Sequence, residues 1–267
     1  MRKSTEEILE EIRLERERRA ALTRAELEKS YEELLKSGCE TGKLLDFTAD
    51  LAGSKQIEYH YELVLEDWKR KKENRLYIDD SFAVRRKEGR DFLFPLMDVK
   101  DEFESVHIAY RIAQSFRGFG RSVDPEREKL APYLIRYAEL SSPELRRLAI
   151  IAIGWIYAPS SFQAELECLS KHLTGDEDSL CRAWSASAFM QLCFHDAPIE
   201  AVKEASLPAF RQCIATESDV FALGVAITSM KELWKLKVRL SDAAVDRQES
   251  DMIEKARKRV LKLLEEI

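Results

Sequence analysis

The sequence predicts an all-α protein: a short α-solenoid of helix hairpins with a long charged N-terminal helix. Three observations predict it. Glycine (9) and proline (7) are scarce in 267 residues, whereas all-β folds need many turns. The most apolar stretch, Leu148–Ile156, is bordered by helix signals rather than strand signals. The small and apolar residues around it recur at intervals of 36–40 residues.

Residues 1–38 form the first element. Ser4 with Glu7 makes a capping box, and Gly38 suits the position just past a helix end. One helix over 4–37 would reach ~50 Å at ~1.5 Å per residue. Ile8, Leu9 and Ile12 give an apolar patch near one end; Leu27, Tyr31, Leu34 and Leu35 give another. Between them "RLERERR" has almost no apolar face. The ends either pack on the solenoid or present an arm for homodimerisation or partner capture. The following "SGCETGKLL" is a poor phosphate loop: Gly38 and Gly42 are one residue too close, Leu44 stands where Ser or Thr is needed, and a helix precedes it.

Residues 39–100 read as an irregular, mainly helical N-terminal part of the solenoid. "KQIEYHYELVLEDWKR" is a helix. "NRLYIDDSFAVRRKEGRDFLF" is ambiguous, with an extended start and a helical end. Asp79 and Asp80 read as loop-solvating carboxylates.

Leu148–Ile156 is too short to span a bilayer, which takes ~20 apolar residues. Ser142 can cap a helix, Pro143 then occupies its first position, and Glu144 favours the positive end of the macrodipole. Leu145, Leu148, Ala149, Ala152, Ile153 and Ile156 follow at three- and four-residue spacing, so this helix needs neighbours on two or three sides. It stops near Pro159, and Ser160 with Gln163 offers a capping box for the next. Ala109, Ile112, Ala113 and Phe116 lie 40 residues upstream of Ala149, Ala152, Ile153 and Ile156; Ser185, Ala188, Phe189 and Leu192 lie 36 downstream. Val225, Thr228 and Ser229 continue the pattern less closely. Amphipathic segments 127–140, 160–173 and 198–214 precede the later copies.

This pattern over residues 101–236 resembles HEAT or armadillo-like repeats. Leu145, Arg146, Ala149, Ala152, Gly154 and Ile156 match the second helix of a HEAT unit, and Arg182 fills the arginine slot of the next copy. Ala222 and Val106 do not fill that slot, which puts the family's buried polar ladder in doubt at both ends. Residues 237–267 then supply a C-terminal capping helix, with Ile253, Ala256, Val260, Leu263, Leu264 and Ile267 on one stripe.

The net charge of −6 disfavours nucleic acid as a partner, and residues 151–200 carry two cations against seven carboxylates. Residues 69–90 have the opposite bias, in "KRKKENR" and "VRRKEGR". Each biased segment reads as a solvated face or a partner patch. The N-terminus lacks the apolar core of a secretory signal, and five cysteines without CxxC point to reduced thiols in a cytoplasmic protein. His60, His107, His172 and His195 are scattered, so no metal or cofactor is expected. Cys193 and His195 lie two apart on different helix faces and cannot form a dyad. Asp176–Glu177–Asp178 reads as a solvated run with Asp178 as helix cap.

These readings point to a non-enzymatic protein-binding solenoid, a scaffold or an inhibitor of the immunity or antitoxin kind. Its expected contacts are Trp155, Trp184 and Trp234 on second helices, Arg146, Arg147 and Arg182 beside them, and the acidic Asp176 and Glu177, which would suit a partner with a basic surface. The resemblance also implies an alternative, a HEAT-like nucleic-acid-binding protein of the DNA-repair glycosylase type; the net −5 of residues 151–200 argues against it.

Overall fold

The computed structural model describes residues 4–116 and 125–265, and every regular element among them is helical. No described helix is long and apolar enough to cross a membrane. The chain divides into two compact units, Met1–Pro95 and Leu96–Ile267.

The single N-terminal helix expected over 4–37 is two helices, α1 (Thr5–Ala21) and α2 (Arg24–Lys36). Ser4 and Glu7 do form a capping box, but so do Thr23 and Glu26, and that second box starts a new helix. Gly38, at φ +71°, ends α2, with its own N–H donating to Leu35 O and the Cys39 N–H to Leu34 O. Leu27, Tyr31 and Leu34 are buried against α3 (Thr41–Gly53), where Tyr31 stacks on Phe47. The Ile8, Leu9 and Ile12 patch is exposed.

Residues 39–95, expected as the start of the solenoid, fall in one compact unit with α1 and α2, and those after α3 complete it. They form α4 (Ile57–Trp68), the short α5 (Ile78–Phe82) and α6 (Arg86–Leu93). The loop between α4 and α5 folds on buried carboxylates. Asp67 accepts the Leu76 and Ile78 amides at 2.7 and 3.3 Å. Asp79 is 2% exposed and accepts from the Trp68 indole at 3.0 Å, so it is a core acceptor, not a solvating group. Arg85 is buried too, donating to His60 Nδ1 at 3.0 Å and to Leu51 O at 2.7 Å. Burial, and then the Arg85 charge, push His60 down to about 3. Two more cations of the basic 69–90 segment are structural: Arg75 binds Trp68 O and Arg70 binds Glu66 and the Tyr31 hydroxyl, while Lys69, Lys71, Lys72, Arg86 and Lys87 are exposed.

The second unit contains α7 (Glu102–Ser115), α8 (Pro125–Ala138), α9 (Pro143–Ile153), α10 (Phe162–Gly175), α11 (Ser179–Phe194), α12 (Ile199–Thr216), α13 (Val220–Trp234), α14 (Asp242–Asp246) and α15 (Ser250–Leu264). Consecutive helices pair as α8/α9, α10/α11 and α12/α13. The helices α7, α9, α11 and α13 pack side by side, and α8, α10 and α12 do the same. The apolar α9 is thus covered by α7, α8 and α11, which explains why Leu145, Ala149, Ile150, Ala152 and Ile153 are all buried. Gly154 allows the closest approach: a Cβ there would lie 2.9 Å from the Ala188 backbone. Asp101, Ser142, Asp178 and Asp219 cap α7, α9, α11 and α13, each accepting a third-residue amide.

The capping box expected from Ser160 and Gln163 does not form. Ser161 precedes α10, Gln163 donates to Glu167, and Ser160 binds the Glu128 carboxylate on α8. In the C-terminal stripe Ile253, Ala256, Val260 and Leu264 are buried; Leu263 is only partly covered, and Ile267 lies outside the described residues.

Candidate functional site

The loops before α11 and α13 carry the most organised polar structure. Arg146, four residues past the Ser142 cap, sends Nη1 to the Leu140 and Ser141 carbonyls at 2.8 and 2.9 Å. Its Nε and Nη2 grip Asp176 at 3.2 and 2.8 Å, and Asp176 in turn accepts the Asp178 amide at 2.9 Å. The next hairpin repeats the device. Arg182 Nη1 binds the Asp176 carbonyl at 2.7 Å, and its Nε and Nη2 grip Glu217 at 2.6 and 2.8 Å. Glu217 accepts the Ser218 and Asp219 amides. Each arginine thus ties its own loop to the following one. Burial opposes ionisation of both carboxylates, but the paired guanidinium and the amides outweigh it and hold Asp176 and Glu217 below their ordinary range.

Three of the expected contact residues, Arg146, Asp176 and Arg182, are therefore committed to this ladder. Arg146 and Asp176 are buried, so they are not surface contacts. Arg147 donates to Pro143 O, and Glu177 is exposed beside Arg146 at 3.6 Å. Trp155 is 7% exposed and packs on Tyr110 with ring centroids 5.1 Å apart, which removes it as an anchor. Trp234 lies edge-on to Phe210 at 5.6 Å.

Trp184 differs. It is half-buried in a groove of about 290 Å³ between α11, α13 and α14. Met190, Phe221 and Val225 share the apolar floor, and Asp242, Asp246 and Glu232 supply carboxylates. Asp242 and Asp246 are exposed, while Glu232 lies 3.7 Å from Lys231 and Lys235.

A second cluster joins α8 to α10. Glu139, Cys168 and His172 bring a carboxylate oxygen, Sγ and a ring nitrogen within 4.8 Å of one another. His172 also reaches Asp176, with Nδ1 2.8 Å from Oδ2. All five cysteines are free thiols, and burial pushes Cys168 up to about 12. In the first unit, a cleft of about 610 Å³ is lined by Leu45, Ala49, Tyr77 and Val84, with Arg16 and Arg19 at its edge.

Sequence reasoning missed Glu217, Glu139, Cys168 and Phe221. Two signals were present. A carboxylate two residues before the cap recurs as Asp176–Asp178 and Glu217–Asp219, and Cys168 and His172 sit four apart on one helical face. No family model, curated protein or solved structure matches the chain.

Proposed function

We propose that residues 96–267 form a HEAT-like α-solenoid that acts as a non-enzymatic protein-binding scaffold or inhibitor. The repeated hairpins and the arginine–carboxylate ladder support the repeat reading, because the same loop-to-loop device recurs in register. The observation that carries the binding reading is the groove at Trp184. It combines a half-buried tryptophan, Met190 and Phe221 with the exposed carboxylates Asp242 and Asp246. Such a groove suits a partner segment with an apolar anchor beside lysines or arginines. The exposed Ile8, Leu9 and Ile12 of α1 favour self-association of the chain as a second interaction.

The test is a tagged capture from native lysate, with and without nuclease, run in parallel on Trp184→Ala and Asp242→Lys/Asp246→Lys. A nuclease-resistant, stoichiometric protein lost from both variants is the expected result. Capture that disappears with nuclease, or that survives both variants, contradicts the reading.

A further inference from the structure

Cys168 and His172 lie one turn apart on α10, and both are nearly sealed from water, at 6% and 5% exposure. Glu139 enters from just beyond the end of α8. His172 Nδ1 lies 2.8 Å from Asp176 Oδ2, the arrangement of an imidazole N–H donating to a carboxylate oxygen. The other ring nitrogen, Nε2, is buried. It lies 3.6 Å from Glu139 Oε1 and has no hydrogen-bond partner. Glu139 is already paired with Lys171, but the buried Nε2 is left unsatisfied, which is costly unless a cation or donor reaches it. The Cys168 sulfur in the same cluster points to a metal ion, because a cysteine sulfur is a preferred ligand of zinc-class cations.

We propose that Glu139, Cys168 and His172 form a binding site for a divalent cation of the zinc class. A thiolate, an imidazole and one carboxylate match Zn2+ and poorly match Mg2+ or Ca2+, which prefer all-oxygen cages. Asp176 serves as the outer carboxylate that fixes the His172 tautomer and ring direction. Ligand bonds of about 2.0–2.3 Å place ligand atoms ~3.3–3.8 Å apart, so the cluster must contract by about 1 Å. Glu139 is exposed and can supply that movement. Glu139 and His172 also line a cleft of about 700 Å³, shared with Ser141, Lys171, Gly175 and Glu177. The bound cation would clamp the end of α8 onto α10, stapling two successive hairpins. This site is independent of the groove at Trp184.

The experiment is a Co2+ titration of the chelator-treated, reduced full chain, read by thiolate-to-metal absorption and followed by Zn2+ displacement. The expected result is one equivalent of Co2+ with a thiolate charge-transfer band, displaced by Zn2+, and a metal-dependent rise in Tm. Cys168→Ser should abolish the band, and His172→Gln and Glu139→Gln should each weaken binding at least tenfold. Because Glu139 is exposed, Glu139→Gln keeps the apo melting curve and tests the site even if the buried variants do not fold. No stoichiometric uptake, a band that persists in Cys168→Ser, or unchanged affinity in Glu139→Gln each overturns the proposal.

Discussion

Arg146 shows why a residue can be correctly picked out and wrongly employed. Its slot in the pattern was legible, but its partner Asp176 lies 30 positions away and looked like part of a solvated acidic run. Breaking a buried pair from one side leaves an uncompensated charge. Arg146→Met should therefore cost about 3–5 kcal/mol in urea unfolding, and a loss below ~1 kcal/mol would mean that the pair is well hydrated. Glu165, fully buried on α10, makes a second prediction. Burial pushes its carboxyl up to about 8, against the Ala158 amide and with help from Glu128. A carboxyl raised in the folded state holds its proton more tightly there than in the unfolded chain. Its contribution is complete below pH 4.5, near its ordinary value, and is lost as pH rises through about 8. Thermal melts at pH 5 and pH 8.5 should show wild type losing stability relative to Glu165→Gln over that interval; parallel curves would contradict the assignment.

At the scale of elements, the helices of the second unit were legible because apolar spacing and caps agree: Ser142, Pro143 and Asp178 occupy the positions their chemistry favours. The break at Leu22–Thr23 was not, because Thr23–Glu26 sits inside a run of strong helix formers and a capping box looks like ordinary charge pairing there. Thr23→Ala should cost about 1 kcal/mol, seen as faster amide exchange across α2. Gly154 carries the contact between α9 and α11. Gly154→Ala adds a Cβ 2.9 Å from the Ala188 backbone, so about 1–3 kcal/mol of overpacking should outweigh the helical gain of ~1 kcal/mol from losing a glycine. A higher Tm for that variant would show that the two helices are farther apart.

At the scale of the whole molecule, the division at Pro95 was hidden because it depends on contacts distant in sequence, not on a linker rich in Gly or Pro. The two units should answer pH differently. His60 in the first is depressed to about 3, so its contribution is present above pH 6.5, its ordinary value, and is lost as pH falls toward 3. Glu165 in the second runs the other way between pH 5 and 8, where Asp176 and Glu217 stay ionised. Amide exchange over that range should show residues 4–95 gaining protection with pH and α10 losing it; a common trend would mean that the units unfold as one. The central claim, that the groove at Trp184 is where a basic partner docks, is tested most directly by calorimetry of the captured partner against wild type and Trp184→Ala. A loss of at least about 2 kcal/mol, roughly thirtyfold in Kd, is the expected result for a binding anchor. An unchanged Kd with a normal melting curve would place the partner elsewhere and contradict the account.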